Sequence, residues 1–228
     1  MYTLKILFNS DGNAIAPYEI SQKIDDFKYN DAVQIIIRDS NLLKSDGEAF
    51  IQCAAKILTN FKMTRTGPFK GLKIDENGKV NSKDVLRCCW DEIGNELLAI
   101  RRSISESSYS RDRYLLELSG YERRKLVAKI WTMTKQLLPF TMVETTFGLV
   151  GSSKILFSVL PEIVLPVDNS QWLHVFKTVD LGDIISGMVF EIQHWEKVTG
   201  EKLNEMDPKK KLTTLPSVYN VMAMAARP

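Results

Sequence analysis

The chain has 228 residues, 44% of them hydrophobic and 25% charged, enough apolar side chains for a packed core and a composition that excludes a disordered or collagen-like chain. Its 30 Lys and Arg face 28 Asp and Glu, a net charge of +2, so attraction to a polyanion has to come from a local patch and not from a global field. Three cysteines exclude a disulfide framework, a four-thiolate iron–sulfur cluster and an all-cysteine zinc site, and two histidines argue against an imidazole-based metal centre.

The first residues, MYTLKILFNSDG, lack the basic start and long apolar run of an export signal, and no apolar stretch is long enough to span a bilayer. With free cysteines, this leads to the expectation of a cytoplasmic protein with no membrane partner. Residues 2–8 read as a short edge strand before the Ser10-Asp11-Gly12-Asn13 turn. Pro17 opens a helix ending near Phe27. Asp31 caps a second helix with Ala32, Ile35 and Ile36 on one face, and Ser45 or Asp46 caps a third through Phe61. Between 63 and 80, Gly67-Pro68, Gly71 and Asn77-Gly78 are turn formers, and Asn-Gly between Ile74 and Val80 predicts a small hairpin. Asp75, Asn77 and Lys79 do not make a calcium loop, because the glycine stands at the fourth position and the closing Glu is missing.

Asn81 or Ser82 is the expected cap of a long helix with Val85, Cys88, Cys89, Ile93, Leu97 and Ile100 on its apolar stripe. Residues 103–112 read as a solvated loop, followed by a short helix from about Asp112 to Leu118 and a longer one from Gly120 to Leu138, stopped by Pro139. Further helices are expected near 152–160, 168–179, 181–198 and 216–226. The expected fold is mainly α, a multi-helix bundle with a small β-hairpin. It forms a single compact unit over 1–228, with room for two helical subdomains, about 1–110 and 111–228, and a cleft between them.

One stretch carries chemistry. Gly148 and Gly151 read as a glycine turn ahead of a helix beginning at Ser152-Ser153, with Lys154 one turn inside it. Glycines admit a phosphate close to the backbone, and the next helix's free N–H groups and the Ser152 and Ser153 hydroxyls would hold it. Pro166-Val167-Asp168 then delivers Asp168 to the head of another helix, either as an N-cap or as a carboxylate aimed into a cleft. Asn169 and Gln171 have the donors and acceptors to position a base edge. Trp172 either fills the core or stacks on an extruded base.

Gly148 to Trp172 resembles the helix-hairpin-helix DNA glycosylases, in which a glycine hairpin precedes a helix and a Pro-Val-Asp follows it. The resemblance implies that the hairpin grips the DNA backbone and that Asp168 is the carboxylate promoting loss of a flipped base. It also makes Lys154 a candidate amine nucleophile or phosphate contact. The implied activity is excision of a damaged or modified base from double-stranded DNA, without cofactor, metal or iron–sulfur cluster. The alternative is a non-catalytic helical module that keeps the hairpin for DNA or protein binding.

Two further features bear on partners. Arg101, Arg102, Arg111, Arg113, Arg123, Arg124 and Lys125, interleaved with Tyr109, Tyr114 and Tyr121, form either a backbone-tracking groove or a solvated face with local ion pairs. His174 and His194 have no ligand-like spacing, and Cys88-Cys89 reads as core packing.

Overall fold

The computed structural model describes residues 5–40, 47–141, 148–212 and 214–228. The protein is mainly helical with one small antiparallel sheet. Phe8 pairs with Ala14 in an isolated bridge around a turn whose Asn9 Oδ1 accepts from the Asp11 and Asn13 amides, which is what the described residues contain of the expected N-terminal strand. Helix α1 runs Pro17–Asp25 with proline in its first turn. Helix α2 spans Asn30–Ser40, so Asp31 stands inside its first turn and is not the cap. Helix α3 spans Gly47–Asn60, and Ser45 and Asp46 lie outside the described residues.

The hairpin forms where Asn77-Gly78 places it. Strands β1 (Lys73–Ile74) and β2 (Val80–Asn81) pair with Ile74 opposite Val80, and Gly78 takes the positive φ of +78° that the turn requires. Asp75 Oδ1 accepts from the Asn77 and Lys79 amides, a turn-closing role.

Helix α4 starts later and ends later than its sequence indicates, spanning Asp84–Glu106. Asn81 belongs to β2 and Ser82 turns the chain at φ +56°, so neither caps the helix. At the other end Ile100 and Ile104 continue the apolar stripe and keep residues 103–106 helical. Cys89 is buried on that stripe, whereas Cys88 faces solvent. Burial pushes the Cys89 thiol up to about 12 and the Cys53 thiol up to about 11, away from nucleophilic use.

A short turn of helix over Arg111–Arg113 leads into α5, Tyr114–Glu117. Helix α6 then runs Gly120–Thr141, straight through Pro139. A proline this close to the end removes one hydrogen bond only, and the buried Leu137 and Thr141, joined by the Thr141 hydroxyl donating to the Leu137 carbonyl, hold the last turn. Helix α7 spans Gly148–Val159. The expected helix over 168–179 forms over 169–176, widened to π geometry over Gln171–Phe176, and ends early at Lys177 in the left-handed region. Helix α8 (Leu181–Thr199) is capped by Asp180, whose Oδ1 accepts from the Gly182 and Asp183 amides, and is closed by Gly200 at φ +76°. Helix α9 (Leu215–Ala225) is buried from Leu215 to Ala223.

A connected apolar core extends from Ile6 to Ala223. Packing crosses the boundary near residue 110, since α3 lies against α7 and α4 against α6. No helix among the described residues is long and apolar enough to cross a membrane.

Candidate functional site

The site is built on α7 and on the segment that returns from it. Gly151 is not part of a hairpin preceding a helix: it lies within α7, which begins at Gly148. A Cβ on Gly151 would stand 3.0 Å from Thr141 Cβ and 3.2 Å from Phe69 Cε2, so this glycine lets α7 approach α6 and the turn over Gly67–Phe69. Ser152 and Ser153 are fully buried and stand beyond the helix's free first-turn amides. Ser152 Oγ shares a hydrogen bond of 2.8 Å with Thr141 Oγ1, tying α7 to α6. The residue before Gly148, Phe147, lies outside the described residues.

Ser153 has a positioning role that its sequence context does not reveal. The Val167 amide donates to Ser153 Oγ at 3.0 Å, which fastens the Pro-Val-Asp segment to α7 one residue before Lys154. The same segment is held from the other side by Glu162, fully buried, which accepts from Arg101 Nη1 at 2.8 Å and from Arg111 Nε. Between these two attachments Ile163, Val164, Leu165 and Val167 are completely buried. Asp168 is the point at which the chain reaches the surface again.

Lys154 and Asp168 line the same cavity, of about 570 Å³. It is lined by Thr141, Val150 and Lys154, by Asp168, Asn169 and Ser170, and by a wall of Met63 with Thr66 to Phe69. That volume falls in the range of small-molecule sites, and the lining combines apolar surface with few polar groups. Lys154 is 6% exposed; its Nζ stands 5.3 Å from the centre of the Phe61 ring and makes no hydrogen bond among the described residues. Phe61 in turn stacks on Tyr29. Burial pushes the Lys154 amine down to about 8, and the Asp168 charge opposes that shift. At pH 7.5 roughly a quarter of such an amine is unprotonated, against far less than a hundredth for an ordinary lysine.

Asp168 caps the turn that follows it and is also among the residues lining the cavity. Its Oδ1 accepts from the Gln171 amide at 2.8 Å while Gln171 Oε1 accepts from the Asp168 amide at 2.8 Å, a reciprocal capping box. Its Oδ2 faces Arg227 Nη1 at 2.7 Å, and its side chain stays 26% exposed at the cavity. Gln171 is fully buried and donates through Nε2 to Asn220 Oδ1 of α9, so it anchors the turn and does not reach the cavity. Trp172 is not part of the cavity lining; it packs on the core and donates from Nε1 to Asn169 Oδ1 at 3.3 Å. Asn169 lines the cavity, and its amide nitrogen has no hydrogen-bond partner among the described residues.

Two groups of site residues escaped the sequence reading. The wall from Met63 to Phe69 sits in what read only as turns, and Arg227 lies 59 residues from the carboxylate it pairs with. Gly67-Pro68-Phe69, a rigid apolar turn, was the available signal for the first; nothing local signals the second. A comparison with known proteins finds no match: no family model, no curated protein and no solved structure is significantly similar to this chain.

Proposed function

We propose that the protein is a DNA glycosylase that excises a damaged or modified base from double-stranded DNA, with Asp168 and Lys154 as its reacting pair. One observation carries this reading: an amine shifted down to about 8 and a partly exposed carboxylate meet on a single cavity large enough for an extruded nucleoside. The rotated-out base and its sugar enter between the Met63–Phe69 wall and Asp168. As the glycosidic bond breaks, its electron pair leaves with the base, and positive charge spreads over C1′ and the ring oxygen. The Asp168 carboxylate offsets that charge, oriented by the Gln171 amide and by Arg227. Unprotonated Lys154 donates its lone pair to C1′; one proton of the nitrogen passes to the ring oxygen as the C1′–O4′ bond breaks, which opens the sugar and leaves a protonated imine. Water then hydrolyses the imine to an abasic sugar and regenerates the amine.

A second reading is favoured by the partners of Asp168, since each carboxylate oxygen already has a donor within the chain. On that reading the chain is a helical module that binds DNA or protein without base chemistry. A panel of duplexes, each carrying one modified base, separates the two, with heat or alkali to reveal abasic sites. The glycosylase reading expects excision of at least one base and a loss of about 100-fold in single-turnover rate on Asp168→Asn. An unchanged rate in that variant removes Asp168 from the chemistry, and binding without excision across the panel supports the module.

A further inference from the structure

The basic residues between Arg101 and Lys125 divide into two groups. Arg101 and Arg111 hold the buried Glu162, and Arg113 holds Glu196. Arg123 and Arg124 have no ion pair among the described residues. They border a hollow of about 220 Å³ between the first turns of α6 and the middle of α8, with Val127, Val189 and Phe190 as its apolar surface and Gly120 at its rim.

The hollow brings two guanidiniums together with no carboxylate among the residues that line it. Arg123 Nη1 is buried and has no hydrogen-bond partner among the described residues. Burial, and then the neighbouring Arg124 charge, pushes the Arg123 guanidinium below its ordinary pKa, yet a guanidinium stays protonated, so what is missing is an acceptor. Arg124 folds back over the start of α6, its Nη1 3.6 Å from the place a Cβ on Gly120 would occupy. The helix's own N-terminal end adds to the positive potential there. Glu122 closes a capping box at the start of α6, its Oε2 accepting from the Ser119 amide while Ser119 Oγ accepts from the Glu122 amide, and it forms no ion pair with Arg123 or Arg124 among the described residues. The Gly120 and Tyr121 amides have no partner among the described residues.

We propose that this hollow is a phosphate-binding site, in which one phosphate group accepts from the Arg123 and Arg124 guanidiniums and the first amides of α6. Two guanidiniums and a helix start demand an anion with several oxygens, and the apolar surface strips water from its far side. Phosphate matches this better than a carboxylate, which has two oxygens only. The site is separate from the Lys154 cavity. Arg123 and Thr141 are eighteen residues apart on α6, about 27 Å along its axis. A duplex lying along α6 would present there a phosphodiester about eight base pairs from an extruded base, given a rise of about 3.4 Å per pair. The phosphate is therefore either free in solution or part of a DNA backbone, and neither depends on the excision chemistry.

The test observes the Arg123 side-chain Nε–H resonance of the whole protein by NMR, identified by its disappearance in Arg123→Gln. Inorganic phosphate is titrated in at constant ionic strength, with chloride as the control. In parallel, the affinity of an unmodified duplex is measured against salt for wild type and for the Arg123→Gln/Arg124→Gln double variant. A saturable, phosphate-specific shift of the Arg123 signal, abolished in Arg124→Gln, establishes the site. If the phosphate is that of DNA, the double variant also lowers the slope of log affinity against log salt by about 2. A phosphate-specific shift with an unchanged slope assigns the site to free phosphate. No shift beyond the chloride control, together with an unchanged slope, overturns the proposal.

Discussion

Lys154 is held in an environment that disfavours its charge, and this has a consequence for stability that needs no substrate. Its amine falls to about 8 in the folded chain against an ordinary 10.5. Between those values the unfolded chain binds more protons than the folded one, so stability rises as pH climbs from about 8 to 10.5, and below pH 8 the full penalty remains. Replacing Lys154 by Met removes a desolvated ammonium while keeping the volume. The expected result is a gain on the order of 3 kcal/mol at pH 7 that fades to nothing near pH 10.5, read by urea unfolding of both proteins across that range. A pH-independent difference would show that the amine is not desolvated in the folded state. Lys154 and Asp168 were legible as a pair because a short helix and a tight return separate them, so their meeting is a local event. Arg227 was not, because its contact with Asp168 is made by packing α9 against the turn that follows α7, which no local pattern encodes.

At the scale of elements, the sequence was most readable where turn chemistry is self-contained. Asn77-Gly78 marked the hairpin, and Pro17 marked the start of α1. It was least readable where tertiary contacts overrode a local signal. Pro139 reads as a stop, yet the buried face of α6 carries the helix past it; Gly151 reads as a turn, yet it is a point of close approach between α7 and α6. The second case can be tested, because Gly151→Ala would raise helix propensity by about 1 kcal/mol if the glycine had no packing role. With Thr141 and Phe69 in the way, the expected outcome is a net loss of about 1–3 kcal/mol in urea unfolding; a gain in stability would contradict the close approach. The return segment from α7 offers a second test. Glu162→Ala removes the carboxylate that faces Arg101, whose side chain is only 10% exposed, and should cost about 3–5 kcal/mol by the same measurement. A loss below about 1 kcal/mol would mean that the Arg101–Glu162–Arg111 cluster does not hold the segment that carries Asp168.

Across the whole molecule, a near-neutral net charge conceals an uneven distribution. Three of the basic residues between 101 and 125 are consumed by Glu162 and Glu196 inside the fold, while Arg123 and Arg124 border a hollow and have no ion pair among the described residues. Composition could not separate these groups, because the acids that neutralise the first one lie about 50 to 80 residues further along the chain. The cavity has the same long-range origin: its lining joins Met63 and Thr66 to Phe69 with residues 168–170, about a hundred residues away in the chain, and α3 and α6 both pack on α7. The central claim is that the Lys154 amine reacts with a sugar carbon in that cavity beside Asp168. The direct measurement is borohydride trapping of the protein on a duplex carrying an excised base, followed by mass spectrometry of the linked peptide. The account predicts a reduced sugar adduct on Lys154, absent in Lys154→Gln. Excision without any adduct, or an adduct confined to surface lysines, would contradict it.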